Sequence, residues 1–203
     1  MSEAVAIPKS KKRETKPRFV SLEAYFLAEE KSLHKNEYHN GIIIPMAGAL
    51  LTHNRLAFKA GKLIDNFVEE NDLNFIVSNS DTKVRIESYN KVVYPDAVVI
   101  CETPQYFEGK EHTIINPILI VEVFSDSSKK YDRNTKFEMY RTLSSFKEYV
   151  LIHQDRKQVA VFSKQPNGTW ILQDYIGDET TAILHHINEC PLSLKRLYHG
   201  LEL

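Results

Sequence analysis

The stretch Ile118-Leu119-Ile120-Val121-Glu122-Val123-Phe124 constrains this chain more than any other. It is apolar at every position but one, so both of its faces must be covered, which is the pattern of a central β-strand. Counting by twos puts Ile118, Ile120, Glu122 and Phe124 on one face and Leu119, Val121 and Val123 on the other. A carboxylate in such a strand carries a desolvation cost of several kcal/mol unless a partner compensates it. A positive group is therefore expected beside Glu122.

The chain offers one shortly afterwards. Ser125-Asp126-Ser127-Ser128 turns it into a helix expected from about Asp132 to Leu143. On that helix Asp132, Lys136 and Tyr140 are spaced by four and share a face. Strand, turn and helix would carry the Lys136 ammonium back to Glu122 while Phe137 packs beside it. A second carboxylate comes from Val92-Val93-Tyr94-Pro95-Asp96-Ala97-Val98-Val99-Ile100, where Pro95 interrupts ladder bonding, and the bend can aim Asp96 where a regular pleat would not. Two convergent carboxylates repel, and a divalent cation keeps both ionised. Hard oxygen ligands with open positions suit Mg²⁺ or Mn²⁺, whose chemistry here is metal-assisted phosphodiester hydrolysis. On these residues alone the plainer reading stands beside it: Asp96 caps a bend, and Glu122 with Lys136 is a buried structural pair.

The rest of the pattern mixes helices and strands. Ser21 can cap a helix with Leu22, Tyr25, Phe26 and Leu33 along its apolar stripe. Glu37-Tyr38-His39 and Ile42 to Met46 read as a hairpin about Asn40-Gly41. Thr52 is a candidate cap for a second helix whose apolar face is Leu56, Ala60, Leu63, Ile64 and Phe67, ending near Asn71. Strands are expected at Phe75–Val77 and around Val84 and Ile86, and an antiparallel C-terminal group at Tyr149–His153, Gln158–Ser163 and Trp170–Tyr175. At 203 residues one core is the default, and the expected organisation is a basic, disordered tail over 1–18 followed by a single domain over 19–203. Two cysteines, Cys101 and Cys190, are too few for a disulfide framework. With no membrane-length apolar run and no secretory pattern at the N-terminus, a cytoplasmic location is expected.

Charge is unevenly placed. The net charge is −1, but residues 1–18 carry +4, which leaves −5 for the remainder. An acidic body needs a local basic surface to bind nucleic acid. Lys129, Lys130, Arg133, Lys136, Arg141 and Lys147 supply one.

Tyr94-Pro95-Asp96, Val121 to Ser128 and Tyr131 to Arg141 together resemble the Uma-two family of restriction-endonuclease-like proteins, within the PD-(D/E)XK nuclease superfamily. The resemblance extends through Glu37 to Gly41, Met46-Ala47-Gly48, His53-Asn54, Ser80-Asp81 and Glu148 to Leu151, covering roughly Leu22 to Leu197. It implies an α/β (α+β) fold, a mixed central sheet flanked by helices, with an N-terminal hairpin and C-terminal antiparallel strands. It implies a divalent-metal-dependent endonuclease in which Asp96 and Glu122 hold Mg²⁺ or Mn²⁺. The superfamily's usual lysine position is Phe124 in this chain; family members are thought to supply the amine from the next helix, which makes Lys136 the candidate. Ile42 stands where relatives often carry an acid, leaving that role to Glu37.

Supporting candidates are Glu37, His53, Asp81 and Asp132. His53 and Asn54 suit either substrate approach or capping, and Asp81 either the site or a turn. Lys129, Lys130 and Arg133 are the candidate phosphate contacts, on a nucleic acid expected to be DNA. Tyr131 and Tyr140 read as packing residues. A catalytically silent nucleic-acid-binding protein of the same fold is the alternative. A two-carboxylate glycosidase is disfavoured by Trp170 being the only tryptophan. The C-terminal strands offer an edge through which a homodimer could form.

Overall fold

In the computed structural model, which describes residues 19–124 and 131–203 except the side chains of 131–133, the run around Glu122 lies inside a sheet. The basic tail and Ser125 to Lys130 fall outside the described residues. In chain order the first strands are β1 (Asn36–His39), β2 (Ile42–Pro45), β3 (Phe75–Asn79), β4 (Lys83–Ile86), β5 (Lys91–Val93), β6 (Ala97–Cys101) and β7 (Tyr106–Phe107). There follow β8 (Lys110–Ile114), β9 (Pro117–Phe124), β10 (Glu148–His153), β11 (Gln158–Lys164), β12 (Trp170–Ile176), β13 (Thr181–Leu184) and β14 (Cys190–Ser193). The helices are α1 (Leu22–Glu29), α2 (Leu51–Glu70), α3 (Phe137–Tyr140) and α4 (Leu194–Tyr198). A π-helical stretch, Tyr131–Lys136, leads directly into α3.

The main sheet runs β12-β11-β10-β9-β6-β3, with β9 and β10 parallel and the other pairs antiparallel. All eight residues of β9 are buried, as its apolar run requires. A second sheet runs β2-β1-β5-β4-β8-β7, and β13 pairs β14. One face of the main sheet packs Leu119, Val121 and Val123 against Leu56, Ala60 and Ile64 of α2, together with β13, β14 and α4. On the other face Ile120, Phe124, Tyr149 and Leu151 pack with Phe137, Met139 and Tyr140 and with Val84, Ile86 and Val93 of the second sheet. Each fully buried aliphatic side chain contributes about 1.5–3 kcal/mol, so these two layers dominate stability.

Local chemistry explains most elements. Ser21 Oγ accepts the Ala24 N–H at 3.1 Å and starts α1, and Asn40 and Gly41 both take positive φ, 48° and 92°, as a two-residue hairpin turn demands. In α2 the spacing of four puts Leu56, Ala60, Ile64 and Val68 on the buried face.

Five expectations change. The helix expected from about Asp132 to Leu143 is a π-helical stretch over Tyr131–Lys136 followed by a short α3 that ends at Tyr140. Leu33 is not part of the first stripe: α1 ends at Glu29 and Leu33 is 95% exposed. Thr52 does not cap α2; the helix has already begun at Leu51, after an extended Leu50. Ile118 packs with Leu119 rather than opposite it, because a bulge between the Val99–Leu119 and Ile100–Pro117 pairs breaks the alternation there. Finally, Pro95 does more than bend a strand: it ends β5 in the second sheet before β6 begins in the main one, so Asp96 stands on the seam between sheets. Among the described residues no helix is long and apolar enough to cross a membrane.

Candidate active site

The antiparallel register of β6 and β9 pairs Ala97 with Val121 and Val98 with Ile120. Continued by one residue, it sets Asp96 opposite Glu122. The Asp96 carboxylate is fixed to the strand that carries Glu122, since Oδ2 accepts the Val123 N–H at 2.7 Å. Like charges set across a ladder destabilise it, so this arrangement needs compensating donors.

Those donors are present. Lys136 Nζ lies 2.9 Å from Glu122 Oε2, reaching the sheet from the end of the π-helical stretch, a deviation that recurs at functional sites. Glu122 Oε1 accepts the Tyr140 hydroxyl proton at 2.8 Å. Glu122 is only 3% exposed, and these two donors offset its desolvation. The same contact holds the buried Tyr140 hydroxyl protonated: burial first, then the charge of Glu122, pushes its pKa well above the usual phenol value. His53, in the first turn of α2, places Nε2 2.9 Å from Asp96 Oδ1. Burial alone would lower the His53 pKa, but the hydrogen bond and charge of Asp96, with Glu122 behind it, outweigh burial and raise it.

Glu37 enters from β1. Its Oε2 lies 2.7 Å from His39 Nε2, and its Oε1 accepts the Tyr94 N–H at 3.3 Å. Burial opposes its ionisation, but the His39 contact and the charge of Lys136 outweigh it, and the Glu37 pKa falls below its ordinary value.

Glu37, His53, Asp96, Glu122 and Lys136 thus line one open cleft of about 780 Å³. Phe124, at the usual lysine position, packs its ring on His153 instead, with centroids 4.8 Å apart. Ile42 lies beside His39 in the hairpin and not in the cleft lining. Asp81 does not line the cleft either. It occupies the exposed β3–β4 turn, and its carboxylate holds Lys35, whose Nζ is 2.5 Å from Oδ1. Lys129 and Lys130 lie outside the described residues, as do the side chains of Asp132 and Arg133. Sequence reasoning missed the hydroxyl role of Tyr140, although its spacing of four from Lys136 was the available signal. It also missed Lys35 and the His53–Asp96 contact, which no local pattern encodes.

Among the described residues no group of three or more His, Cys, Asp or Glu side chains is arranged to hold a metal. Mg²⁺, however, is usually bound through one or two carboxylates with water and substrate oxygens completing its shell. Asp96 and Glu122 offer two carboxylates, the number such a site needs. Each oxygen that meets a donor here retains a further lone-pair direction.

The mixed sheet, with Asp96 opposite Glu122 and Lys136 bonded to Glu122, is what the resemblance to restriction-endonuclease-like proteins implies. Residues 22–194 match the family model described as "Uma2: Putative restriction endonuclease", and the chain belongs to that family. In Synechocystis sp., "Uncharacterized protein sll1609" is 36% identical over 154 residues, covering 76% of this chain and 86% of that protein. A second, "Uncharacterized protein slr1290", is 30% identical over 156 residues, covering 77% and 80%. The crystal structure of "a putative nuclease belonging to DUF820" from Anabaena variabilis superposes with a TM-score of 0.67 at 15% identity, over 88% of this chain and 97% of that one. That likeness establishes the shared fold.

Proposed function

We propose that this protein is a divalent-metal-dependent nuclease that hydrolyses phosphodiester bonds in the cleft between α2 and the second sheet. The observation that carries the reading is the 2.9 Å contact of Lys136 with Glu122, directly beside the position where Asp96 faces the same strand. A purely structural ion pair needs no second carboxylate opposite it and no open cleft.

Asp96 and Glu122 would hold Mg²⁺ or Mn²⁺, which when bound supplies Lewis-acid polarisation of the phosphoryl oxygen and a more acidic water. The chain's own residues supply the remainder. His53 and the Val123 N–H fix both oxygens of Asp96, and Tyr140 fixes Glu122. Lys136 presents its ammonium to the phosphate, where charge develops, and orients the attacking water. Removing comparable electrostatic donors lowers rates by about 10²–10³. Glu37 lines the same cleft, where the charge of Lys136 favours its ionised form.

The test is cleavage of labelled single- and double-stranded DNA and RNA with Mn²⁺, by the wild type and by Glu122→Ala and Lys136→Met. Metal-dependent cutting that both substitutions abolish is the expected result. Salt-sensitive binding with no cutting under any metal would replace this reading with that of a silent nucleic-acid-binding protein.

A further inference from the structure

A second groove, about 630 Å³ in volume, runs between α2 and β3. It opens into the catalytic cleft, because Asn54, Ser80 and Asp96 line both. Its other wall carries features that folding does not account for. Phe58 lies on α2 with 69% of its surface exposed, although an exposed ring in mid-helix gains nothing from packing. Lys62 is four residues further along the same helix, so both side chains lie on one face of it. Gly61 stands between them, where glycine destabilises a helix relative to alanine. Packing does not require it: a Cβ added there would meet only the Ala97 Cβ at 3.8 Å, an ordinary contact. Its lack of a side chain leaves the groove open.

We infer that this groove is a subsite for an unpaired nucleotide flanking the scissile phosphate, with Phe58 as the stacking platform for its base and Lys62 as the contact to its backbone. The inference rests on the nuclease reading. Continuity with Asp96 places the groove where a strand leaving the catalytic cleft must pass. Asp65 also lines it, so it is no simple anion cradle, and the exposed ring is its distinguishing element. Within a duplex each base face is covered by its neighbours in the stack. A single protruding ring is therefore satisfied by a strand whose bases are free, which is how sequence-tolerant single-strand sites work. Ser78 and Asn54 add hydrogen-bonding groups along the walls without a fixed readout of one base.

The test compares wild type with Phe58→Ala, Phe58→Trp and Lys62→Ala in two assays. The first is fluorescence anisotropy of a labelled short oligothymidylate and of its blunt duplex, without added metal. Phe58→Ala is expected to weaken single-strand binding about tenfold, the worth of one stacked base. Phe58→Trp should restore it, and duplex binding should change little. The second assay is Mn²⁺-supported hydrolysis of bis(p-nitrophenyl) phosphate, too small to reach the groove, which all three variants should perform like wild type. Equal single-strand binding by wild type and Phe58→Ala overturns the subsite, whatever the second assay shows. If the small diester and the oligonucleotides both go uncut, the nuclease reading fails, and anisotropy alone then decides the groove. A loss of oligomeric state in Phe58→Ala at unchanged nucleic-acid affinity would reassign the patch to a second copy of the chain.

Discussion

Replacing Lys136 with methionine removes the amine 2.9 Å from Glu122 Oε2 and leaves the stem's volume almost unchanged. Deleting one partner of a fully buried ion pair costs about 3–5 kcal/mol, because the other charge is stranded. Glu122 is 3% exposed, but the Lys136 side chain is 16% exposed toward an open cleft, and Tyr140 still donates to the carboxylate. The cost therefore falls below that of a fully buried pair, and about 2–3 kcal/mol is expected. For a chain of this size that corresponds to a fall in Tm of roughly 4–12 °C. The charge argument adds a second requirement. Glu37, Asp96 and Glu122 share the cleft, so Lys136→Met should be partly rescued by Glu122→Gln, and the double variant should be more stable than Lys136→Met alone. Urea denaturation followed by circular dichroism gives all four corners of the cycle. A Lys136→Met variant within about 0.5 kcal/mol of wild type, with no coupling to Glu122→Gln, would refute the claim that this amine compensates a buried acid.

Other outcomes follow from the same geometry. Because the folded-state pKa of Glu37 is lowered below its ordinary value of 4.5, its ionised form contributes stability that is present above that value and lost as pH falls through the folded pKa. The stability advantage of wild type over Glu37→Gln should therefore shrink in acid, measured as urea midpoints on both sides of pH 4.5; a constant gap would contradict it. Tyr140→Phe should lose about 1.5–3 kcal/mol, the value of a buried hydrogen bond to a charged group, read from the same denaturation curves. Gly61→Ala should raise stability by about 0.5–1 kcal/mol, since the added methyl meets Ala97 at 3.8 Å. Mn²⁺ should raise the Tm of wild type but not of Asp96→Asn, as binding to the folded state alone requires.

What could be read in advance was what short-range chemistry determines. The apolar run of β9 exposes Glu122 as the odd residue, the positive-φ pair Asn40-Gly41 marks the hairpin, and a spacing of four puts Lys136 and Tyr140 on one helix face. The buried stripe of α2 is likewise periodic enough to find. Harder to see were features settled by tertiary packing. Strand β7 has two residues and β13 only four, too few to show a period. The assignment of β5 and β6 to different sheets depends on partners 50 or more residues distant in some pairings, such as Tyr38 with Val92. The role of His53 depends on a contact with Asp96, 43 positions away.

The seam at Pro95 has a consequence for how such a molecule can change. Glu122 belongs to the innermost strand, whereas Asp96 takes its position from the place where the chain passes from one sheet to the other. Substitutions in the second sheet can therefore shift the main chain at Pro95, and with it Asp96, against the Val123 N–H bond that ties this acid to the strand bearing the other. The durability of the molecule and its competence are thus separable properties. On the nuclease reading proposed above, a descendant could lose its cutting through drift in its hairpin while its melting behaviour barely altered.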